Sequence, residues 1–190
     1  MTGSAAPGRP RSEAARLAVL HAVDDLLVDV GYAAMTMKGI AERAGVGRMT
    51  VYRWWPTKAH ILIEACAADV SKELTVPDDD AEPVEQLTAF LTALAAFLTG
   101  ADAGAAYRAL LGEAQHDPEV GKLVAAADLL GGPAREVLAR VRGRLGGVPE
   151  GPFAAAELCG PVVLLVMGGS PAPDAAALRA HAARLAKAWE

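Results

Sequence analysis

Residues 36–58 read TMKGIAERAGVGRMTVYRWWPTK, and here a compact set of side chains could do chemistry on an anionic polymer. Thr36 can cap a short helix, because its hydroxyl can accept from an otherwise unpaired N–H of the first turn. Ile40, Ala41 and Ala44 fall on one face of that helix, and the small Ala41 lets a second helix cross closely. Gly45 stands where the chain must turn sharply, and glycine tolerates positive φ without steric cost. Val46 and Val51 can fill the space between the two helices. Arg48, Met49, Thr50, Tyr52, Arg53 and Trp54 are then left with side chains free to look outward. Arginine can read guanine edges or pair with phosphate, a threonine methyl can touch a thymine methyl, and a tyrosine hydroxyl can bond phosphate. Pro56 ends the second helix, since the residue before a proline is biased out of the α region. Thr57 can cap a third helix with Lys58 in its first turn. A cation is unfavourable there, so Lys58 points to an external phosphate. This is the layout of a helix-turn-helix DNA reader. The competing reading is a similar corner in an unrelated all-α protein, with Met49 and Trp55 as packing residues.

The segment MTMKGIAERAGVGRMTVYRWWPTKAHIL resembles the DNA-binding region of the TetR family of bacterial transcriptional regulators. The resemblance extends over residues 12–65. It combines an amphipathic first helix, a Gly31-Tyr32 turn, Thr36, Ala41 and Gly45-Val46, then Thr50-Val51-Tyr52 and Lys58. It implies operator contacts from Lys38, Arg48, Met49, Thr50, Tyr52, Arg53 and Trp54, alongside Thr36, and a phosphate contact from Lys58. Trp54 departs from the family pattern, which often has a small or polar residue there.

Charge is divided along the chain. The whole sequence carries −5, but residues 1–58 hold 8 Lys/Arg against 5 Asp/Glu and residues 59–190 hold 10 against 18. A basic end and an acidic body suit a protein that touches phosphate at one end only. Its DNA affinity should therefore fall with salt. At 190 residues, 53% of them hydrophobic, the chain can bury a sizeable core.

The elements that must position the reader are helical throughout. Residues 12–30 carry an apolar face at helical spacing through Leu20, Val23 and Leu27, and Gly31 stops that helix. A linking helix runs from 57 to about 74. Val76–Pro83 is a break with two prolines and an acidic run. Further helices are expected at 83–99, 103–116, 118–130, 133–145, 152–167 and 174–188. The expected fold class is therefore all-α, in three parts: a disordered basic arm at 1–10, a helix-turn-helix domain at 11–58, and a helical regulatory and dimerisation domain at 59–190.

In the carboxy-terminal part, Phe90, Leu94, Phe97, Tyr107, Leu110, Leu111, His116 and Leu123 could line a small-molecule pocket, with Tyr107 and His116 as its polar groups. Ordinary bundle core is the alternative for each. Residues 153–167 are apolar nearly all round, and such a helix must be buried. A partner chain is the simplest cover, so Leu158, Val162, Leu164, Leu165, Leu178 and Leu185 are expected at a homodimer interface; the resemblance implies a two-fold four-helix arrangement.

No catalytic constellation is present. Cys66 and Cys159 are isolated and read as core residues, with a thiol sensor as the alternative. Glu113 and His116 at i, i+3 could hold a metal, but one such pair is weak support, so neither metal nor cofactor is expected. The amino terminus lacks an apolar signal region, and the 153–169 stretch is short for a membrane span, so a cytoplasmic protein is expected. The expected function is a non-enzymatic regulator, a repressor that binds palindromic double-stranded DNA as a dimer and leaves it when an unidentified small-molecule effector binds. A partner-controlled regulator and a helical carrier or enzyme are the alternatives.

Overall fold

The computed structural model describes residues 13–74, 80–100 and 102–190. The expected arm at 1–10 and the first half of the acidic break, 76–79, lie outside the described residues. Among the described residues there are ten α-helices and no strand: α1 (Glu13–Ala34), α2 (Met37–Arg43), α3 (Arg48–Trp54), α4 (Lys58–Glu73), α5 (Pro83–Gly100), α6 (Asp102–Glu113), α7 (Pro118–Ala127), α8 (Gly131–Arg142), α9 (Pro152–Met167) and α10 (Ala175–Ala188). The chain divides into two compact units, 1–61 and 62–190.

In the first unit, α1 buries Val19, Leu20, Ala22 and Val23. Gly31 does break the helix, with φ 75° and ψ 167°, but helical structure resumes beyond it to Ala34, so the expected end at Gly31 is a kink instead. The resumed turn buries Tyr32, and Met35 follows it into the core. Arg43 of α2 reaches back to α1, 2.6 Å from Asp29 and 3.3 Å from Asp25.

The second unit is built around α5. Leu87, Phe90, Leu91, Leu94, Phe97 and Leu98 are fully buried there, and α6, α8, α9 and α10 all pack on this helix. α6 approaches so closely that a Cβ on Gly104 would stand 1.9 Å from the Phe97 carbonyl oxygen. α10 is tied down at both ends. Arg179 pairs with Glu85 of α5 at 2.8 Å, and the Gly147 N–H donates to the Trp189 carbonyl at 2.7 Å.

The boundary between α7 and α8 differs from expectation: α7 ends at Ala127, short of the expected 130. α8 begins at Gly131, two residues before Pro133. Proline is tolerated there because the first four N–H groups of a helix have no intrahelical acceptor. The preceding residue that reverses the chain is Asp128, in the left-handed conformation at φ 44°. Asp117 caps α7, its carboxylate accepting from the Glu119 and Val120 N–H groups, with Pro118 in the first helical position.

The α5–α6 contact predicts a paired outcome. Gly104→Ala should destabilise the second unit by about 1–3 kcal/mol, because the new methyl meets backbone that cannot swing away. Gly112→Ala, where a Cβ would meet nothing within 4 Å, should be neutral or slightly stabilising. Thermal and urea unfolding of the two variants checks this.

Candidate nucleic-acid interface

The reader is held by its turn. α2 begins at Thr36, whose hydroxyl accepts from the Gly39 N–H at 3.0 Å. It ends in a paired C-terminal motif, with the Gly45 N–H donating to the Glu42 carbonyl at 3.2 Å and the Val46 N–H to the Ala41 carbonyl at 3.1 Å. That motif requires a left-handed residue, and Gly45 supplies it at φ 65°. The chain then enters α3 at Arg48. Ile40 and Ala41 of α2 and Val51 of α3 are completely or almost completely buried, and Trp55 just beyond α3 is buried with them. With Val51 and Trp55 directed inward, the rest of α3 must look outward.

It does. Met49 is 81% exposed and Tyr52 49%. Arg48 and Arg53 are also exposed, whereas Thr50 and Trp54 are half-buried. The Trp54 ring meets the Trp55 ring edge-on, centroids 5.5 Å apart, and the Arg53 guanidinium carbon lies 5.9 Å from the Trp54 centroid. The bulky Trp54 is thus a shelf between the buried Trp55 and the cationic Arg53. Met49, Thr50, Tyr52 and Arg53 together outline a shallow concavity on this face. Lys38 is exposed on α2, 3.7 Å from Glu42.

Lys58 has partners within its own unit that the sequence did not show. Its ammonium donates to the Tyr32 carbonyl at 2.6 Å and the Met35 carbonyl at 3.1 Å, and lies 4.0 Å from the Tyr32 ring centroid. The cation at the start of α4 therefore finds its acceptors at the end of α1, within the same unit. No external anion is needed to account for it.

Residues 19–65 match the model of bacterial regulatory proteins of the tetR family. The uncharacterized HTH-type transcriptional regulator YdeS of Bacillus subtilis (strain 168) is 37% identical over 113 residues, 60% of this chain and 56% of that protein. The HTH-type transcriptional repressor KstR of Rhodococcus jostii (strain RHA1) is 39% identical over 57 residues, 30% of this chain and 27% of its own length. The chain thus spans about half or less of the length of these relatives. A solved structure, that of the TetR family transcription regulator SCO0332, superposes with a TM-score of 0.72 at 27% identity, covering 92% of this chain and 98% of that one. The chain is similar to TetR-family regulators, in sequence over residues 19–65 and in fold over most of its length. These similar proteins are named as transcriptional regulators.

Outside the helix-turn-helix unit, the expected site residues separate. Phe90, Leu94, Phe97 and Leu110 are fully buried helix-packing residues. Leu111 and Leu123 are half-buried, and His116 is exposed on the turn after α6. Of the eight expected pocket residues, Tyr107 does line a cleft, and that cleft opens away from α5, among α6, α7, the α7–α8 turn and α9. The alternative of a thiol sensor finds no support at Cys159, where burial pushes the thiol up to about 12. Thiolate, the reactive form, is therefore scarce at neutral pH.

The expected interface residues also divide. Leu158, Val162, Leu178 and Leu185 are buried within their own chain, so they are core. Leu164 and Leu165 are exposed, and Phe153 and Met167 join them on the outer side of α9. An α-helix that is apolar all round has two faces to bury, and only one is covered here. Among the described residues, no single helix is long and apolar enough to cross a membrane.

Two outcomes follow for the reader. Arg48→Ala should weaken DNA binding by about 1–3 kcal/mol, the worth of a good base contact, and Tyr52→Phe should weaken it in the same direction. Neither should lower the melting temperature, because both side chains are exposed. Fluorescence anisotropy beside thermal unfolding reads both effects. Lys58→Met should do the reverse, costing about 1–2 kcal/mol of stability through lost charge-assisted hydrogen bonds. Its loss of DNA affinity should be no larger than that unfolding explains.

Proposed function

We propose that this protein is a transcriptional repressor that grips an inverted-repeat DNA site as a homodimer, one α3 per half-site, and releases it when a small molecule binds the second unit. The observation that carries the reading is the exposed face of α3. Its two arginines, tyrosine and methionine stand out, with the half-buried Thr50 beside them, from a seven-residue helix whose other side is anchored by Val51. Guanidinium groups fit guanine O6 and N7 or phosphate, and the apolar methyl groups of Met49 and Thr50 fit thymine methyls. The charge division, basic to residue 58 and acidic beyond it, favours docking by the first unit.

The dimer rests on α9. Phe153 is 71% exposed and Leu164 74%, on a helix with no charged residue on that side except the half-buried Glu157. Exposed apolar patches on soluble chains mark interaction surfaces, and a self-complementary two-fold contact is the commonest solution. An inverted repeat read by one α3 per half-site has its half-sites about 34–36 Å apart, one turn of the double helix, or a multiple of that. Release requires the effector to bind the arrangement that cannot hold DNA more tightly than the one that can, since equal affinity for both shifts nothing.

Leu164→Glu tests the dimer and the function together. The side chain is exposed in the single chain, so the fold should survive, while pairing would place a carboxylate in an apolar contact. Sedimentation velocity should show a monomer, and affinity for an inverted-repeat site should fall at least tenfold. A dimer that persists, or a monomer that binds with undiminished affinity, would refute the reading.

A further inference from the structure

We infer that the cleft between α6, α7, the α7–α8 turn and α9 is a binding site for a compact, neutral, mostly apolar ring compound bearing one hydrogen-bond acceptor, which the Tyr107 hydroxyl would meet. Its meaning for regulation rests on the effector-released reading above; the binding itself does not.

The cleft holds about 300 Å³. An engineered apolar cavity of roughly 150 Å³ admits benzene, so the space suits a fused two-ring molecule. The floor is buried: Tyr107, Leu129, Leu130, Ala155 and Cys159. The rim is exposed and made of small side chains, among them Ala125 on α7 and Ala156 on α9. Small residues at the rim leave a way in, and apolar walls below reward an apolar guest.

The polar groups in this cleft are few and dissimilar. Tyr107 is only 8% exposed, and its ring leans on Phe97 at a centroid distance of 6.4 Å. Among the described residues its hydroxyl makes no hydrogen bond to protein, and it is not sealed away as the unpaired Gln86 Oε1 is, so it can meet an acceptor in the cleft. Burial holds the phenol up to about 12, with smaller contributions from Cys159, Cys66 and Asp128. The group therefore stays protonated and can donate. Cys159 stays a neutral thiol for the same reason. Asp128, at the left-handed turn, already pairs with Arg135, so it needs no cationic guest. Among the described residues no Lys, Arg or His lines the cleft, so a carboxylate ligand would find no unpaired cation there and would lie beside the Asp128 carboxylate, whose own cation is already engaged. The chemistry selects a ketone, ester or phenol over an acid.

The test uses the full chain and three probes of one shape: 1-indanone with a carbonyl, indane with none, and indane-2-carboxylate with a charge. Ligand-observed NMR titration should show saturable 1-indanone binding at one site per chain and at least tenfold weaker binding of indane-2-carboxylate. Tyr107→Phe should weaken 1-indanone about fivefold, the size of one net hydrogen bond, and leave indane unchanged. Ala125→Phe, at an exposed rim position, should fill the entrance and abolish binding of both without altering the melting temperature. Non-saturable binding, binding that survives Ala125→Phe, indifference to Tyr107→Phe, or a carboxylate that binds as well as the ketone would each overturn the assignment. DNA affinity is measured separately on the same samples. Binding of 1-indanone without DNA release would contradict the effector reading while leaving the cleft in place.

Discussion

A seven-residue helix does not hold its shape alone in water, so everything α3 can do depends on the corner that fixes it. That corner is one left-handed glycine and a small apolar cluster. Gly45 closes α2 with two backbone hydrogen bonds, and Ile40, Ala41, Val51 and Trp55 bury the contact. Once Val51 and Trp55 face inward, helical geometry sends Arg48, Met49, Tyr52 and Arg53 to the other side. The same constraint explains Lys58. Its ammonium caps the carbonyls where α1 ends, next to the Tyr32 ring, and so locks the return of the chain into the reader unit. The proposed recognition chemistry sits on the outer side of this corner and stability on the inner side, with little overlap between them.

The second unit solves a different problem. α5 is buried along most of its length, which demands neighbours on several sides, and α6, α8, α9 and α10 provide them. α9 packs one apolar face on this assembly and leaves the other bare. The helix therefore serves two interfaces, one within the chain and one proposed between chains, while its first turns also contribute to the cleft that holds Tyr107. A ligand in that cleft would touch the inner and rim residues of α9 directly, which offers a physical route from occupancy to the relative placement of two protomers.

How much of this was legible in the sequence depended on how local the signal was. The reader was legible because each of its parts announces itself within 20 residues: a capping Thr36, a small Ala41, a turning Gly45, a terminating Pro56. Helix order in the second unit was legible from apolar spacing and from Pro118 and Asp117. The cleft was not. Phe97 and Tyr107 are both apolar-face aromatics at helical spacing, and only the three-dimensional packing makes one a core residue and the other a cavity wall. Leu158 and Leu164 pose the same difficulty on α9, where a helix apolar on all sides gives no phase from which to tell inner from outer. The intramolecular partners of Lys58, the Tyr32 and Met35 carbonyls, were not legible because they are backbone groups more than 20 positions away. Asp128 adopts a left-handed turn that a non-glycine residue seldom takes, so the start of α8 was displaced.

The most direct test of DNA recognition by α3 is selection of binding sites from a random duplex pool by the purified full-length chain, carried through several rounds at two salt concentrations. Enrichment of an inverted repeat is expected, with affinity that falls as salt rises and with a base preference that relaxes at one position of each half-site when Arg48→Ala replaces the wild type. A pool that shows no enrichment, or an enriched motif that the Arg48→Ala protein selects unchanged, would contradict it.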